Sequence, residues 1–177
     1  MRSRQPLPHL WLMTDERMGE ALWQALVRLP RGSGVIFRHH ATKDRRALFE
    51  RVRAIARRRG LLLLLAGSPR EAAGWRADGV HGRSPHRRTP RPLLRTTPVH
   101  DARELTAAQG HAVLLSPVFK TRSHPGAPTL GPLRFAVLAR RSALPVIALG
   151  GMDASAYRRL ARLGACGWAG IDAFSFR

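Results

Sequence analysis

The chain alternates between short apolar runs and longer amphipathic stretches from end to end, and this alternation constrains the fold more than any other feature. A continuous apolar run such as Leu61–Ala66, bounded by Gly60 and Gly67, is typical of a strand buried on both faces. Eight runs of this kind are predicted to be strands: His9–Thr14, Gly34–His40, Leu61–Ala66, Gly79–Gly82, Leu94–Val99, Ala112–Phe119, Pro145–Leu149 and Cys166–Ile171.

The stretches between these strands carry apolar residues at helical spacing. In Lys43–Arg59, for example, Leu48, Val52 and Ala56 share one face. The stretch Arg83–Pro92 is rich in Arg, Pro and Ser and is predicted to be a loop. The predicted helices are Met18–Leu29, Lys43–Arg59, Ser68–Ala77, Asp101–Gln109, Leu133–Arg141 and Asp153–Leu163.

Strict alternation of strands and helices predicts a parallel sheet joined by right-handed crossovers. Eight strands predict an α/β fold, a compact TIM or (β/α)8 barrel, formed by residues 1–177 as a single domain. The helices after the fourth and the last strand are expected to be short or missing, since Arg83–Pro92 is loop-like and the chain ends soon after Phe174. An open doubly wound sheet is the alternative, but Thr14–Arg17 lacks the glycine-rich dinucleotide fingerprint.

The net charge of +20 comes from 31 basic and 11 acidic residues. Such a charge suits nucleic acid, an anionic membrane surface or an anionic small ligand. Only Lys43 and Lys120 are lysines and no asparagine occurs, a skew that GC-rich coding also produces. The arginines are scattered along the chain with few aromatics between them, unlike a stacking platform for single strands. A nucleic acid is therefore not the expected partner.

Cys166 is the only cysteine, which excludes an intramolecular disulfide and a cysteine-based metal cluster. A reduced, cytoplasmic setting is expected. The apolar run Leu10–Met13 is too short for the hydrophobic region of a signal peptide. The longest apolar run, Leu61–Gly67, is far too short to span a membrane, so no membrane partner is expected.

In a barrel of this kind, functional groups lie at the C-terminal ends of the strands and in the loops that follow. These positions hold several histidines and almost no carboxylates, which suits an anion better than a metal ion. Gly150 and Gly151 follow the seventh predicted strand, where missing side chains let backbone N–H groups approach a phosphate. Ordinary turns also use glycine, so this pair alone leaves both interpretations open.

Two long segments carry recognisable motifs. After the sixth predicted strand, Ser116–His124 reads Ser-Pro-Val-Phe-Lys-Thr-Arg-Ser-His. The last two strands contain Ile-Ala-Leu-Gly-Gly-Met, at 147–152, and Leu-Gly-Ala-Cys-Gly-Trp-Ala-Gly-Ile, at 163–171. These runs resemble Gly-Pro-Val-Phe-x-Thr-x-Thr-Lys, Ala-Ile-Gly-Gly-Ile and Ala-Gly-Ala-Asp-Gly-Val-Ala-Val of the thiamine phosphate synthase family, which includes thiazole tautomerase-type relatives. Leu12–Asp15 and Ala77–His81 resemble its first and fourth strands, so the resemblance spans nearly the whole chain.

The resemblance implies a TIM barrel that acts in thiamine biosynthesis. The family's synthase is a transferase that joins a pyrimidine methyl diphosphate to a thiazole phosphate, uses Mg²⁺ and releases pyrophosphate. A departing pyrophosphate needs cations, which Mg²⁺, Arg and Lys supply. The ligand implied for this chain is therefore a small phosphorylated thiazole or pyrimidine compound.

The thiazole-phosphate side of the family's site is largely kept. Thr121 and Ser123 match its two hydroxyl residues in the loop after the sixth strand, and Gly151, preceded by Gly150, matches its phosphate-binding glycine. Ile171 and Asp172 match two positions whose backbone amides complete the pocket. The family usually has Ser at the position of Asp172, and a carboxylate beside a phosphate is unfavourable unless it points away.

The pyrimidine-diphosphate side is poorly kept. Of Gln-x-Arg-x-Lys after the second strand only Arg38 remains, with His40 at the lysine position, and His124 replaces the lysine of the sixth-strand loop. The pair containing one Mg²⁺-binding Asp falls on Ala66–Gly67, and the second Mg²⁺ carboxylate falls in Gly82–His86, which contains no acid. Mg²⁺ requires hard oxygen ligands. The resemblance therefore implies Mg²⁺ as a cofactor, but its carboxylate ligands are not matched in this chain. Arg38, His40 and His124 stay candidate ligand contacts.

His100 matches a histidine of the tautomerase-type relatives that lies near the thiazole. The resemblance implies a catalytic role, and imidazole suits general acid or base catalysis because it titrates near neutral pH. The alternative is a loop histidine hydrogen-bonded to backbone. His39 and His40 are interpreted either as phosphate contacts or as surface residues at the strand end.

Three functions stay open. The first is an enzyme of the synthase or tautomerase type. The second is a non-catalytic relative that binds a thiazole or thiamine phosphate, and the third is an Arg-rich nucleic-acid-binding protein. The missing Mg²⁺ acids argue against full synthase activity, and the scattered arginines argue against nucleic acid. A missing last helix would expose apolar barrel surface that a second copy of the chain would cover, so a homo-oligomer is a further expectation.

Overall fold

Eight parallel strands form a closed barrel in which each strand pairs with its neighbours along the chain. The computed structural model describes residues 6–85, 88–122, 126 and 128–174. Closure joins the first and last strands through pairs such as Trp11 with Ala169. The strands are β1 (Leu10–Met13), β2 (Gly34–Phe37), β3 (Leu62–Ala66), β4 (Gly79–His81), β5 (Leu94–Val99), β6 (Ala112–Leu115), β7 (Val146–Leu149) and β8 (Ala165–Gly170). The predicted TIM barrel is confirmed.

Six α-helices follow strands around the barrel. They are α1 (Ala21–Arg28), α2 (Arg45–Arg59), α3 (Pro69–Gly74), α4 (Ala102–Ala107), α5 (Gly131–Arg141) and α6 (Ala154–Ala161). No helix occurs in the described residues between β4 and β5, and β8 is followed only by a 3₁₀ helix, Asp172–Phe174. The expectation of short or missing fourth and last helices is therefore confirmed.

Side-chain caps begin two of the short helices. Ser68 accepts a hydrogen bond from the Glu71 N–H at 3.1 Å, with Pro69 at the first helical position. Asp101 accepts one from the Glu104 N–H at 2.8 Å. An N-cap of this type contributes about 1 kcal/mol. Because these residues end βα loops, the caps fix where the chain leaves the functional end of the barrel.

Most predicted elements differ from the structure by one to a few residues at their ends, and two of these differences have a clear physical reason. The predicted strand Ala112–Phe119 ends at Leu115, since Pro117 has no N–H to extend the ladder. The predicted helix Met18–Leu29 is divided into a 3₁₀ turn, Glu16–Met18, and α1, with Gly19 at a φ of 47° between them. Both differences arise at residues whose backbone prevents a regular element from continuing.

Trp11 of β1 belongs to the buried core. Its side chain is fully buried, and its indole N–H donates to the Pro8 carbonyl at 2.6 Å. A Cβ atom on Gly34, the paired residue of β2, would overlap the Trp11 ring, so glycine makes room for it. A ring of this size stabilises the fold by several times about 0.8 kcal/mol, the contribution of one buried CH₂ group.

Aromatic residues cover the end of β8, after which the described residues contain only the 3₁₀ helix Asp172–Phe174. The rings of Trp168 and Phe174 stack at 5.6 Å between centroids, and each residue is only 8% exposed. The apolar surface expected there is thus covered within the chain, and the reason given for a homo-oligomer does not hold at this place. The oligomer itself stays a prediction. Among the described residues, the large hydrophobic side chains that are exposed lie on α1 and α5: Val27, Leu133 and Val137.

Within the described part of the chain, no helix has the length and apolar character needed to cross a membrane.

Candidate ligand-binding and catalytic site

A cavity of about 400 Å³ lies at the C-terminal ends of the strands, a size that suits one small ligand. The described ends of β1, β2, β5, β6, β7 and β8 contribute to its lining, whereas β3 and β4 do not. The lining residues are Met13, Arg38, His100, Ser116, Pro117, Lys120, Thr121, Arg122, Leu149, Gly150, Gly151, Met152, Gly170, Ile171, Asp172 and Ala173. The cavity therefore lies toward one side of the barrel end, away from β3 and β4.

The turn after β7 is pressed against the loop after β6. Gly150 and Gly151 have φ values of 96° and 60°, which favour glycine. A Cβ on Gly150 would lie 2.8 Å from the Pro117 Cα, and one on Gly151 would lie 2.8 Å from the Phe119 Cβ. Phe119 N–H donates to the Gly150 carbonyl at 3.0 Å. Backbone rather than side chains thus forms this wall of the cavity.

Several backbone N–H groups around this wall have no hydrogen-bond partner within the described residues. They belong to Gly151, Ile171 and Asp172, all of which line the cavity. Backbone N–H groups need a partner, and converging ones form a site for an anion. The arrangement fits a phosphate group at the β7–β8 side of the cavity.

Lys120 brings a positive charge to the same part of the cavity. Its side chain is exposed, and no carboxylate of the described residues pairs with it. Its neighbour Arg122 instead forms an ion pair with Asp172, with its Nε and Nη2 atoms each 3.2 Å from a carboxylate oxygen. The Asp172 carboxylate, expected to disfavour a nearby phosphate, is therefore neutralised by Arg122.

His100 lies at the cavity mouth at the end of β5. Its Nδ1 is 2.9 Å from Glu104 Oε2 and 2.9 Å from Arg83 Nη2. Arg83 Nη2 also donates to Glu104 Oε2 at 2.7 Å. The side chain contacts two side chains, so the alternative of a histidine ring bonded to backbone is wrong. Its Nε2 has no partner among the described residues.

Asp15, which follows β1, is held by two arginines. It accepts from Arg17 Nε at 2.7 Å and from Arg38 Nη2. Burial alone would raise the pKa of Asp15, but hydrogen bonds from Arg17 and the charges of Arg38 and Arg17 outweigh burial and lower the pKa to about 2. Arg38 therefore enters the cavity lining with its charge already compensated.

His39 and His40 separate at the end of β2. His39 is 4% exposed, and its Nδ1 lies 2.9 Å from Thr14 Oγ1, so its interpretation as a surface residue is wrong. Burial lowers the pKa of His39. His40 is exposed and lies outside the cavity lining, with its backbone N–H donating to Glu16 at 2.7 Å.

Comparison with known proteins identifies the family. The family model described as thiamine monophosphate synthase matches residues 11–174. The chain belongs to the thiamine monophosphate synthase family. A curated Aquifex aeolicus relative named "Putative thiamine-phosphate synthase 2" is 31% identical over 184 residues, covering 95% of this chain and 98% of that protein.

Solved structures share the fold. The thiamine phosphate pyrophosphorylase from Pyrococcus furiosus matches with a TM-score of 0.76 and 21% identity, covering 97% of this chain and 89% of the other. The thiamine phosphate pyrophosphorylase from Bacteroides thetaiotaomicron matches with a TM-score of 0.58 and 15% identity, over 93% of this chain and 83% of the other. At these identities the likeness concerns the barrel alone.

Relative to the thiamine monophosphate synthase family, the end of β3 departs from a Mg²⁺ site. Glu71 Oε2 lies 2.7 Å from where a Cβ on Gly67 would stand, and Glu71 Oε1 accepts from Arg45 Nη1 at 2.7 Å. Arg45 also donates to the Ala66 carbonyl at 2.6 Å. An ion pair thus fills the space expected for the family's metal-binding carboxylate, and a guanidinium there repels Mg²⁺.

The end of β4 offers no replacement. The described loop Gly82–Pro85 contains Arg83 and no acid. Across the described residues, no group of three or more His, Cys, Asp or Glu side chains is arranged to hold a metal ion. Asp15, a carboxylate that follows β1, is engaged by Arg17 and Arg38. The residues present do not fit the Mg²⁺ of the family's synthase.

The structure brings together most of the residues predicted from the thiamine monophosphate synthase resemblance. In the cavity lining are His100, Arg38, Thr121, Gly150, Gly151, Ile171 and Asp172. Ser123 and His124 lie outside the described residues. Lys120 was not predicted, although it stands out as one of two lysines among 31 basic residues. Glu104 and Arg83 were not predicted either, since no local pattern places them beside His100.

Proposed function

We propose that this protein binds a thiazole phosphate in the cavity and acts in thiamine biosynthesis as a tautomerase-type enzyme. The observation that carries the proposal is the group of backbone N–H donors at Gly151, Ile171 and Asp172 that have no partner within the described residues. They line the same cavity as His100 and Lys120, and Lys120 has no carboxylate partner among the described residues. At the ends of β3 and β4, where the resemblance places the diphosphate of a second substrate, the described residues offer no matching metal site.

The phosphate occupies the β7–β8 side in this proposal. Gly151 and Ile171 donate backbone N–H groups to its oxygens, and Lys120 supplies a positive charge that its dianion attracts. Thr121 lines the same wall. Arg122 keeps the Asp172 carboxylate paired, which removes its repulsion. The thiazole ring then extends toward His100 across the apolar Leu149 and Met13.

His100 performs the proton transfer. Its Nε2 is the ring nitrogen available to the ligand, because Nδ1 contacts Glu104 and Arg83. A tautomerisation takes a proton from one ring atom and returns one to another, so a single imidazole serves as base and then as acid. No metal is needed for such a shift, since no pyrophosphate departs.

The condensation of the family's synthase is less well supported by these residues. A leaving pyrophosphate requires cations at its oxygens, and a metal normally supplies much of that charge. At the end of β3 the Arg45–Glu71 pair is satisfied internally. We therefore expect no Mg²⁺-dependent thiamine phosphate formation at a rate typical of the family.

A non-catalytic thiazole phosphate-binding protein is the second candidate. The observation that favours it is the position of His100, whose side chain is 49% exposed at the cavity mouth. Proton transfer needs a site that limits water, and an open mouth limits it poorly. The two candidates share the phosphate site and differ only in turnover.

Three measurements on the full chain test these functions. Thiazole phosphate should raise the melting temperature more than the unphosphorylated thiazole alcohol, by mass action on the folded state. Tautomer conversion should be visible by NMR and fall on the order of 10²–10⁴-fold in His100→Gln. Equal thermal shifts for the two compounds would remove the phosphate site. Binding without conversion would favour the non-catalytic candidate, and EDTA-sensitive condensation would restore the synthase.

We also propose that residues 1–177 act as one domain in the cytoplasm. The barrel uses strands from Leu10 to Gly170, and Cys166 is a free thiol. Limited proteolysis tests the single domain, which should give one protected fragment. Microscopy of a tagged chain tests the cytoplasmic location.

A further inference from the structure

Arg83, His100 and Glu104 form a closed triangle of polar contacts. Glu104 Oε2 lies 2.9 Å from His100 Nδ1, and Arg83 Nη2 lies 2.9 Å from the same nitrogen. The third side joins Arg83 to Glu104 at 2.7 Å. One imidazole nitrogen therefore faces both an obligatory hydrogen-bond donor and an obligatory acceptor.

The chain holds each corner of this triangle in place. Glu104 lies on α4, whose first turn is capped by Asp101, and its Oε2 also accepts the His100 backbone N–H at 2.8 Å. Arg83 comes from the loop after β4 and its Nε donates to the Pro98 carbonyl at 3.3 Å. The triangle thus links the ends of β4 and β5 at the cavity mouth.

The two partners stabilise opposite tautomers of neutral imidazole. When Nδ1 carries the proton, it donates to Glu104, and Nε2 presents a lone pair to the cavity. When Nε2 carries the proton, Nδ1 accepts from Arg83, and Nε2 presents a hydrogen-bond donor. An arginine is always a donor and an ionised carboxylate is always an acceptor, so each tautomer has one matching partner.

We propose that Arg83 and Glu104 are positioning residues whose competition for Nδ1 sets whether the neutral His100 ring meets the ligand at Nε2 with a base or with a hydrogen-bond donor, without movement of the ring. The inference rests on the proposed function, since it assigns the two halves of a proton shift to one nitrogen. In the first half Nε2 takes a proton from a ligand atom, and the electrons of the broken bond stay in the ligand ring. In the second half the imidazolium returns that proton to a different ring atom, so the ligand gains and loses one proton and needs no oxidant.

The test uses the full chain labelled with ¹⁵N-histidine, because the two tautomers give different ¹⁵N shifts at Nδ1 and Nε2. Signals of His100 are identified by their loss in His100→Gln. Glu104→Gln removes the obligatory acceptor and is expected to shift the neutral ring toward the Nε2–H tautomer. Arg83→Met removes the donor and is expected to shift the ring toward the Nδ1–H tautomer. Arg103→Met is the matched control, since this exposed arginine of α4 is not part of the triangle.

Turnover gives the second readout. Tautomer conversion should fall in Glu104→Gln by a part of the about 10²–10⁴-fold that a general acid–base contributes, because the base form becomes rarer, and should not fall in Arg83→Met, while thiazole phosphate affinity stays within about twofold in both variants. Arg83→Lys, which keeps a donor, should stay closer to the wild type than Arg83→Met does in both the ¹⁵N shifts and the rate. Unchanged ¹⁵N shifts in both variants would overturn the positioning role whatever the rate. Opposite ¹⁵N shifts in a protein that converts no ligand would refute the proposed function and leave the control of the tautomer standing.

Discussion

The backbone of Lys120 packs directly against Gly151, so that a Cβ atom on Gly151 would collide with the Lys120 carbonyl oxygen and with Phe119. This contact joins the loop after β6 to the turn after β7. The same two residues border the proposed phosphate site, Gly151 with its N–H group and Lys120 with its ammonium group. The close approach therefore sets the geometry of that site.

Replacing Gly151 with Ala should damage both stability and phosphate binding. Gly32→Ala is the matched control, because Gly32 has a φ of 82° but no atom within 4 Å of its Cβ position. The control should lose about 1 kcal/mol of stability from its backbone conformation alone. Gly151→Ala should lose about 1–3 kcal/mol more through overpacking, and at least about tenfold in affinity. Urea unfolding and ligand titration measure both. Wild-type affinity in Gly151→Ala would contradict the site.

Lys120→Met should weaken the preference of the protein for thiazole phosphate over the thiazole alcohol. A hydrogen bond to a charged group contributes about 1.5–3 kcal/mol, which corresponds to about a tenfold or greater loss in thiazole phosphate affinity. Affinity for the thiazole alcohol should not change, because the alcohol lacks the charge. Lys43→Met removes the chain's other lysine, which is exposed and outside the cavity lining, and should leave both affinities unchanged. Calorimetric titrations at two salt concentrations check this, since screening should weaken only the phosphate contact.

The barrel was predictable because its strands are apolar runs that must be buried on both faces. Leu94–Val99 is β5 as predicted, and the run Leu61–Ala66 differs from β3 by one residue. Boundaries were less predictable where one residue ended an element, as Gly19 does before α1. Such endings depend on φ values and donor positions that a hydropathy pattern does not contain.

The candidate site was predictable only in part. Gly150 and Gly151 follow a strand, and their position at the C-terminal end of the barrel, where the cavity lies, follows from barrel topology. The Arg45–Glu71 pair, in contrast, joins α2 to α3 over 26 residues, and nothing local in the sequence indicates it. The burial of His39 depends likewise on Thr14 of a neighbouring strand end. Side-chain pairs of this kind are set by packing between elements.

Asp15→Asn should lower the free energy of unfolding at neutral pH. It should also make that free energy fall less as the pH is lowered from about 4 to 2. The folded-state pKa of Asp15 is about 2, below its usual value of 3.8. Because this pKa is lowered on folding, the ionised carboxylate stabilises the protein above about pH 4, and that stability is lost as pH falls toward about 2. The shift corresponds to about 2 kcal/mol. Urea unfolding from pH 2 to 7 measures it. The exposed Asp44 makes no capping hydrogen bond, so Asp44→Asn is the control. Parallel curves for wild type and Asp15→Asn would contradict the prediction.

His81→Gln should make the protein more tolerant of mildly acidic conditions. His81 is 8% exposed at the end of β4, with its Nδ1 2.9 Å from Thr96 Oγ1. Burial, with the charges of Arg38, Arg83 and His40, lowers the pKa of His81 to about 4. The unfolded chain takes up this proton near pH 6.5 and the folded chain does not, so wild-type stability should fall between about pH 6.5 and 4. One such histidine contributes up to about 1.4 kcal/mol per pH unit.

Gln keeps a hydrogen-bonding side chain but does not titrate, so the free energy of unfolding of the variant should depend less steeply on pH by that amount. The buried His39, whose pKa is also lowered, should account for the pH dependence that is left. The exposed His111 provides the control, His111→Gln. Equal slopes for His81→Gln and wild type in urea unfolding would show that His81 is protonated in the folded barrel.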